Sequence, residues 1–196
     1  MPLAGTPATK PIKRGDSNAG PMILATGNRR PHKNWDRLVR ALALVDENVR
    51  PRLVVTGSHG DDPLRPVVDE LGLGRWVDLK SWVSADELAD LYAGATVLVM
   101  PSFCDGFSLP ALEAMMEGVP VMLSDISVYR EVAGDAALYF EPTSHSSIAD
   151  AITTAVTKPD LLAELRARGF DQAAKFSWQK TAAGTVATFD RALGRR

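Results

Sequence analysis

Two acidic residues, Asp105 and Glu113, flank the start of a predicted helix, with seven residues between them. Asp105 lies in the loop before the helix, and Glu113 lies about five residues inside it, roughly 7 Å along the axis from Ser108. Because helical side chains lean toward the N-terminus of their helix, Glu113 can reach the same loop. Ionised carboxylates accept hydrogen bonds from hydroxyl groups strongly, so the pair predicts a ligand with sugar hydroxyls on both sides of the helix end. A turn role for Asp105 and a surface role for Glu113 are the alternative that this spacing leaves open.

The helix end between these two acids is predicted to bind an anion. Ser108 is a suitable N-cap, and Pro110 fits the first turn of a helix. Gly106 allows the backbone to come close to a ligand, and the first N–H groups of a helix have no partner within it. These N–H groups and the helix dipole favour a phosphate group at this position.

A basic segment follows the first predicted strand. Residues 29–40 contain five basic residues and one acidic residue, a local charge of +4 in a chain whose 22 Lys and Arg and 24 Asp and Glu give −2. Lys33, at the start of a helix, adds a point charge to the free N–H groups there, which again favours a phosphate-bearing ligand. A solvated basic helix face is the alternative that this segment alone leaves open. The sequence contains no G-x-G-x-x-G or G-x-x-x-x-G-K-[ST] motif, which disfavours a dinucleotide or P-loop site.

Six short apolar runs alternate with helical patterns and must position these residues. The runs are 22–26, 52–56, 76–79, 95–100, 119–123 and 136–140. Continuous apolar strands are typical of a parallel sheet that is covered by helices on both faces. The pattern predicts an α/β fold, a Rossmann-like doubly wound sheet of about six strands, followed by C-terminal helices that end near residue 193. Ligands of such sheets bind outside the carboxyl ends of the strands, where the candidate residues lie.

The composition indicates an ordinary globular protein. The chain has 196 residues, of which 45% are hydrophobic and 23% charged, and this matches one domain with its own core. Residues 1–20 are rich in Pro, Gly, Ala, Thr and Ser and are predicted to form a disordered arm or interdomain linker, with one Rossmann-like domain over residues 21–196. The near-neutral charge gives no indication of a nucleic-acid partner.

The cysteine and histidine residues predict neither a disulfide nor a metal site. Cys104 is the single cysteine, is expected to be a small buried side chain, and suits a reducing compartment, so the cytoplasm is the predicted location. His32, His59 and His145 are scattered. No apolar run approaches the 18 residues of a membrane span, and no signal peptide is predicted; peripheral membrane association is left open.

The segment from Asp105 to Met115 resembles the signature of the retaining family-4 glycosyltransferases. In that signature two acidic residues, separated by seven others, flank a Gly-Phe-Gly-Leu-Pro core and a Leu-Glu-Ala-Met helix. The resemblance covers about residues 22–194. Further similar blocks are the first loop at 26–34, the second strand and its glycine turn at 53–57, the loop at 82–84 and the segments 124–126 and 130–140.

The resemblance implies roles for three candidate catalytic residues. Lys33 would contact the diphosphate of a nucleotide-sugar donor, Asp105 would lie against the donor sugar, and Glu113 would hold the ribose hydroxyls. The implied donor-binding residues follow the ends of four strands. They are Gly27, Asn28, Arg29 and Gly57, then Trp82 and Val83 along the base, Gly106 and Phe107 against the sugar, and Ser108 and Leu109 through their backbone amides.

Three positions depart from the family pattern. Asp105 replaces the more common Glu and is shorter by one methylene, roughly 1.5 Å. Asn28 stands where many relatives carry Arg. Ser108 replaces the second glycine, and this change is expected to be mild because Ser caps helices well.

The resemblance implies the fold, the reaction and the partners of this chain. It implies the C-terminal, donor-binding half of a two-domain enzyme of GT-B fold, inactive without an N-terminal acceptor domain in cis or in trans. That enzyme would transfer a hexose with retention in polysaccharide or glycan biosynthesis, without a metal or cofactor. Mannose from GDP-mannose is favoured over UDP-sugars. The alternatives are a non-catalytic nucleotide-sugar-binding or assembly module and an unrelated Rossmann-like binding protein.

Overall fold

A computed structural model describes residues 20–194, which form one six-stranded sheet in the order β3-β2-β1-β4-β5-β6. Every neighbouring pair is parallel. The strands are β1 (Met22–Thr26), β2 (Arg52–Ser58), β3 (Val77–Ser81), β4 (Val97–Met100), β5 (Val121–Ser124) and β6 (Ala137–Phe140). The predicted doubly wound sheet is confirmed. The predicted arm lies, up to residue 19, outside the described residues.

The sheet is buried on both faces, as the apolar runs predict. All residues of β4 and β5 are buried, and so is all of β1 and β2 apart from their first residues. The two edge strands, β3 and β6, keep partly exposed positions. Burial therefore falls toward the sheet edges, as expected for a core that lies between the central strands and the helices.

Helices connect and follow the strands. They are α1 (Trp35–Leu44), α2 (Arg65–Glu70), α3 (Ala85–Gly94), α4 (Leu109–Met116), α5 (Ser127–Ala133), α6 (His145–Thr157), α7 (Pro159–Ala173) and α8 (Trp178–Ala192). A short 3₁₀ turn, Pro31–Lys33, precedes α1. Helix α3 begins with a reciprocal capping box between Ser84 and Glu87. Among residues 20–194, no helix is both long and apolar enough to cross a membrane.

The strand order reverses between β1 and β4, and the loops after these two strands meet there. The Phe103 amide in the second loop donates a hydrogen bond to the His32 carbonyl in the first, at 2.8 Å. In doubly wound sheets such a switch point opens the crevice in which ligands bind. The fold thus brings the two candidate segments of the sequence together.

Asn34 holds the β1 loop against two other strand ends. Its backbone is left-handed, with φ of 59°, and its side chain is buried. The Nδ2 atom donates hydrogen bonds to the carbonyl oxygens of Pro101, after β4, and Pro142, after β6, both at 2.9 Å. Asparagine tolerates the left-handed region better than most residues, so one side chain fixes both the turn and its place on the sheet.

Gly57, near the end of β2, lies directly against Gly27 at the end of β1. Its φ is +94°, and a Cβ atom there would lie 2.7 Å from the Gly27 carbonyl oxygen. Both the backbone angle and the contact therefore require glycine. The two neighbouring strand ends can approach closely only because neither has a side chain at this point.

Gly57→Ala is expected to lower the free energy of unfolding by about 2 kcal/mol, because the left-handed strain of about 1–2 kcal/mol is joined by a backbone clash. Gly72→Ala is the matched control, since Gly72 also has a positive φ of 63° but open space around it. We expect about 1 kcal/mol for this control in urea unfolding. Equal losses in the two variants would show that the contact with Gly27 has no effect.

Candidate functional site

Lys33 and Asp105 form an ion pair at the switch point between β1 and β4. The Lys33 Nζ atom donates to Asp105 Oδ2 at 2.8 Å, and the side chains are only 14% and 18% exposed. Lys33 ends the 3₁₀ turn after β1, and Asp105 lies in the loop after β4, so the pairing of these two strands brings the residues together. A cation and a carboxylate are thereby fixed at the edge where ligands of such sheets bind.

Three donors hold the Asp105 carboxylate. Besides Lys33, the Tyr129 hydroxyl donates to Oδ2 at 3.0 Å, and the Gly106 amide donates to Oδ1 at 2.9 Å. Burial by itself would raise the pKa of Asp105, but Lys33 and the hydrogen bonds from Gly106 and Tyr129 hold the pKa below its ordinary value. Asp105 is therefore ionised at neutral pH and can accept hydrogen bonds from hydroxyl groups.

Helix α4 begins at Leu109, with Pro110 in its first turn, as predicted. Ser108 is the N-cap residue, as predicted, but the expected cap by its side chain is wrong. Ser108 has φ of +88°, makes no capping hydrogen bond and is buried. Glycine is usual at this position because it adopts a left-handed backbone without strain. Serine was expected to be a mild replacement because its side chain caps helices, and this reason does not hold because the side chain makes no cap.

Glu113 lies one turn inside α4 and is half-buried. Among residues 20–194 its carboxylate has no hydrogen bond or ion pair, and none joins it to Lys33 or Asp105. Burial, with a smaller effect of the neighbouring Glu117 charge, raises the pKa of Glu113. The carboxylate is thus partly desolvated and free to accept a hydrogen bond from a ligand.

Arg29 forms a buried ion pair with Asp62. Its guanidinium binds the Asp62 carboxylate, at 2.8 Å for the shortest contact, and the two side chains are only 7% and 9% exposed. The remaining donors bind the carbonyl oxygens of Gly27, Thr56 and Val55 at 2.8–3.1 Å. Burial by itself would raise the pKa of Asp62, but Arg29 and the Leu64 amide hold it below its ordinary value. The guanidinium of Arg29 therefore makes its hydrogen bonds to groups within the protein.

The predicted +4 patch is weaker in the structure than the residue count suggests. Lys33 and Arg29 are paired as described, and Arg40 binds both Asp36 and Glu70. Counting charges along the sequence missed Asp62, Glu70 and Asp105, because these partners are remote in the chain. Lys33 is the cation of the segment that pairs with Asp105, in the loop before α4.

The remaining residues of the first loop contribute backbone and polar groups. The Asn28 carbonyl accepts a hydrogen bond from the Trp35 indole N–H at 2.7 Å, which holds the exposed loop against α1. The Gly27 amide donates to the Thr56 carbonyl at 3.3 Å. These contacts order the loop that ends in Lys33.

An exposed aromatic pair stands at the carboxyl ends of β2 and β3. Trp82 is 72% exposed and stacks on His59, with 5.6 Å between ring centroids and 17° between planes. Val83, the other predicted base-side residue, is half-buried beside it. Sequence reasoning found no role for His59, because its stacking partner lies in another loop.

The loop before α4 is partly open to solvent. Gly106 is exposed, and Phe107 packs edge-on against Phe176 with 5.7 Å between ring centroids. Cys104 is exposed, so its predicted burial is wrong. The loop leaves the sheet at this point, which explains why the cysteine does not reach the core. Among residues 20–194, no three or more His, Cys, Asp or Glu side chains cluster as a metal site would require.

Sequence reasoning missed three residues that build the site: Tyr129, Asn34 and Asp62. Tyr129 follows β5 on α5 and is completely buried, yet its hydroxyl reaches the Asp105 carboxylate. The rule that strand ends meet at one edge could have suggested that α5 begins near Asp105. No local pattern marks which of its side chains would reach the loop.

Comparison with protein families gives one match over most of the chain. The family model described as "Glycosyl transferases group 1" matches residues 9–172. This range contains the two loops at the switch point, the Arg29–Asp62 pair and the His59–Trp82 stack.

Two curated relatives and one solved structure are similar to the chain. "O-antigen chain mannosyltransferase B" of Escherichia coli is 35% identical over 167 residues, which cover 83% of this chain and 44% of that protein. "MMP alpha-(1->4)-mannosyltransferase" of Mycolicibacterium hassiacum is 34% identical over 84% of this chain and 41% of that protein. The structure of sucrose-phosphate synthase from Thermosynechococcus elongatus superposes with a TM-score of 0.80 at 23% identity and covers 97% of this chain and 52% of that one. The chain thus spans about half the length of these relatives.

Proposed function

Because the chain belongs to the group 1 glycosyl transferases, we propose that it is the donor-binding half of a retaining glycosyltransferase. In this proposal the whole enzyme moves a hexose from a nucleoside-diphosphate sugar to an acceptor hydroxyl. The observation that carries the proposal is the Lys33–Asp105 pair beside the N-terminus of α4. This arrangement offers a cation and free N–H groups to a diphosphate and a carboxylate to sugar hydroxyls.

The chemistry of the leaving group supports a catalytic role for Lys33. As the bond between the sugar and the diphosphate breaks, the diphosphate gains negative charge and the sugar becomes cation-like. Lys33 and the N-terminus of α4 face the growing negative charge, so they stabilise the transition state more than the ground state. These groups supply positive charge from the protein, and the proposal therefore requires no metal ion or cofactor.

The two carboxylates divide the hydroxyl groups of the donor between them. Asp105 is ionised and lies next to the group that receives the diphosphate, which suits a role against the donor sugar. Glu113 is half-buried without a protein partner among residues 20–194 and suits the hydroxyls of the ribose. Trp82 and Val83 stand farther along the edge, at the end of β3, where we place the base.

The names of the relatives support mannose as the transferred sugar. Both relatives described above are named mannosyltransferases, and one of them is an O-antigen chain enzyme. We therefore propose GDP-mannose as the first donor to test, UDP-sugars as the second, and polysaccharide or glycan biosynthesis as the pathway. The lone cysteine fits a reducing compartment, so the proposal keeps the cytoplasm as the location.

The acceptor is proposed to bind a second domain that this chain does not contain. The chain covers 44% and 41% of the two relatives, which leaves room for such a domain in the whole proteins. Helix α8 and the residue after it carry Val186, Phe189 and Leu193, each exposed by 59–65%, and this apolar surface suits contact with that domain. Without the second wall of the cleft, water is not excluded, and we expect no transfer by the chain alone.

A panel of donors tests the proposal. The melting temperature of the chain is measured with GDP, UDP, GDP-mannose and UDP-glucose at millimolar concentration. A ligand that binds the folded chain raises its stability by mass action, so at least one nucleotide is expected to raise the melting temperature. A folded chain that binds none of the four at millimolar concentration would overturn the proposal.

Glu113→Gln is expected to have opposite effects on stability and on binding. The raised pKa of Glu113 means that its contribution to stability is full below about pH 4.3 and is lost as the pH rises through the folded pKa. At pH 7 the neutral amide should therefore raise the melting temperature, by about 1–2 °C after solvent screening is allowed for. GDP should bind several-fold more weakly, because an amide accepts hydroxyl hydrogen bonds less strongly than a carboxylate does.

Glu131→Gln is the matched control, since Glu131 is exposed on α5. It should change neither the melting temperature nor GDP affinity. The stabilisation of Glu113→Gln should shrink toward pH 4, where the wild-type carboxyl is protonated as well. A lower melting temperature at pH 7, or an unchanged GDP affinity, would contradict the role proposed for Glu113.

A further inference from the structure

We propose that Tyr129 is a positioning residue that fixes the Asp105 carboxylate in the orientation needed to hold the donor sugar. The inference rests on the proposed function, because it assigns Asp105 to the sugar. It adds a residue of α5, which follows a different strand from those that carry Lys33 and Asp105. Tyr129 would act through Asp105 and would not touch the donor.

The hydrogen bonds around Asp105 constrain it from two sides. Oδ2 receives Lys33 Nζ from the β1 loop at 2.8 Å and the Tyr129 hydroxyl from α5 at 3.0 Å. Oδ1 receives only the Gly106 amide, at 2.9 Å, among the residues that the structure describes. A carboxylate oxygen can accept more than one hydrogen bond, so Oδ1 retains a lone pair for a sugar hydroxyl. Tyr129 and Lys33 thus orient the Asp105 carboxylate through Oδ2, and Oδ1 remains available to the sugar.

Tyr129 is itself held rigidly. Its side chain is completely buried, and its backbone carbonyl accepts a hydrogen bond from the Tyr139 hydroxyl at 3.2 Å, a hydroxyl that also lies 2.7 Å from the Gly134 carbonyl. The Arg130 guanidinium covers the Tyr139 ring at 3.7 Å from its centroid. Tyr129 is therefore rigid enough to position the exposed loop that carries Asp105.

Packing alone does not explain a tyrosine at this position. A phenylalanine would fill the same space without bringing a polar group into the core, and a buried hydroxyl is unfavourable unless it is hydrogen-bonded. Burial raises the pKa of Tyr129, so the hydroxyl keeps its proton and acts as a donor throughout the physiological pH range. The hydroxyl is thus suited to hold an ionised carboxylate.

The position of Asp105 explains why such a contact would matter. The loop that carries it is partly open to solvent, with Phe103, Cys104 and Gly106 exposed. A catalytic group on a loop must be held within about half an ångström of its working geometry by its neighbours. The short aspartate side chain reaches less far than a glutamate, so its direction depends more closely on how the loop is held.

The test is Tyr129→Phe, which removes only the hydroxyl. We expect affinity for GDP to stay within about twofold of wild type and affinity for GDP-mannose to fall about fivefold to tenfold, less than for a direct hydrogen bond to a charged group because Tyr129 acts through Asp105. UDP and UDP-glucose form the second pair if the panel favours uridine. Tyr92→Phe is the matched control, because its buried side chain donates its hydroxyl to the Pro110 carbonyl and not to Asp105; any loss should be equal for nucleotide and sugar nucleotide.

An Asp105→Asn background shows whether the effect passes through Asp105. In that background Tyr129→Phe should cause no further selective loss of GDP-mannose affinity. Three outcomes would each overturn the inference: equal loss of GDP and GDP-mannose affinity, no loss of either, or a selective loss that is undiminished in the Asp105→Asn background. Urea unfolding confirms that each variant is folded.

A measurement without donor separates this inference from the proposed function. Carboxyl NMR of the free protein should show the pKa of Asp105 rising in Tyr129→Phe, because one hydrogen bond to the charged form is lost. Tyr92→Phe should leave that pKa unchanged. An unchanged pKa in Tyr129→Phe would refute the positioning contact even if the donor panel succeeds, whereas a raised pKa with no donor bound would refute only the proposed function.

Discussion

Lys33→Met is expected to weaken GDP or UDP binding by about a hundredfold, because the variant loses the cation that we propose faces the diphosphate. A hydrogen bond to a charged group contributes about 1.5–3 kcal/mol, and the upper part of that range corresponds to this factor. The free energy of unfolding should also fall, by about 2 kcal/mol, since Asp105 is left partly buried without its cation. Titration calorimetry gives the affinity, and urea unfolding gives the stability.

The pH dependence provides a second check on Lys33. The lowered pKa of Asp105 means that its contribution to stability is present above its ordinary value of about 3.9 and is lost as the pH falls through the lower folded pKa. The stability difference between wild type and Lys33→Met should therefore narrow below about pH 4. Lys158→Met, at an exposed lysine between α6 and α7, should change neither property. Nucleotide affinity within about threefold of wild type would remove Lys33 from the proposed site.

Arg29→Met is expected to lower the free energy of unfolding by about 3–4 kcal/mol, within the range of about 3–5 kcal/mol for breaking a buried ion pair by removing one partner. The variant leaves the Asp62 carboxylate uncompensated, together with the strand-end carbonyls that Arg29 binds. In the folded variant, GDP affinity should change less than about threefold, because the guanidinium has its hydrogen bonds inside the protein. Urea unfolding and calorimetry measure the two quantities.

Two further variants test whether the loss of stability in Arg29→Met comes from breaking a buried ion pair. Arg29→Met combined with Asp62→Asn should lose less stability than the two single changes added together, since the uncompensated charge is gone. Arg52→Met breaks an exposed pair with Asp78 and should lower the free energy of unfolding by less than about 1 kcal/mol. A tenfold loss of GDP affinity in folded Arg29→Met would restore Arg29 to the donor-binding residues that the sequence predicts.

The sequence predicted the fold well because its signals are local. Each apolar run overlaps a strand, and the local pattern of Ser84 and Glu87, three residues apart, forms a capping box at the start of α3. The meeting of Lys33 and Asp105, 72 residues apart, followed from the general rule that parallel strands end at one edge. Local patterns and this rule for parallel sheets were thus sufficient to predict that these two residues lie at the same edge of the sheet.

The contacts that orient the candidate site could not be predicted in this way. Arg29 was expected to face a ligand, but its partner Asp62 lies 33 residues away, where no local charge count includes it. Ser108 was interpreted as a side-chain cap, whereas its left-handed backbone points to a position where glycine is usual. Such features depend on tertiary contacts and on single backbone angles, which leave no periodic trace in a sequence.

The side chain of Asn34 has a consequence for the order in which the chain assembles. Its two hydrogen bonds close loops of 67 and 108 residues, and contacts between such distant residues form late, because the loop-closure entropy must be overcome first. The turn that carries Lys33 is therefore locked only after β4 and β6 have joined the sheet. A nascent chain that has not yet reached Pro142 has most of its sheet but lacks one of these two bonds, so the turn that carries Lys33 is fully held only in the finished domain.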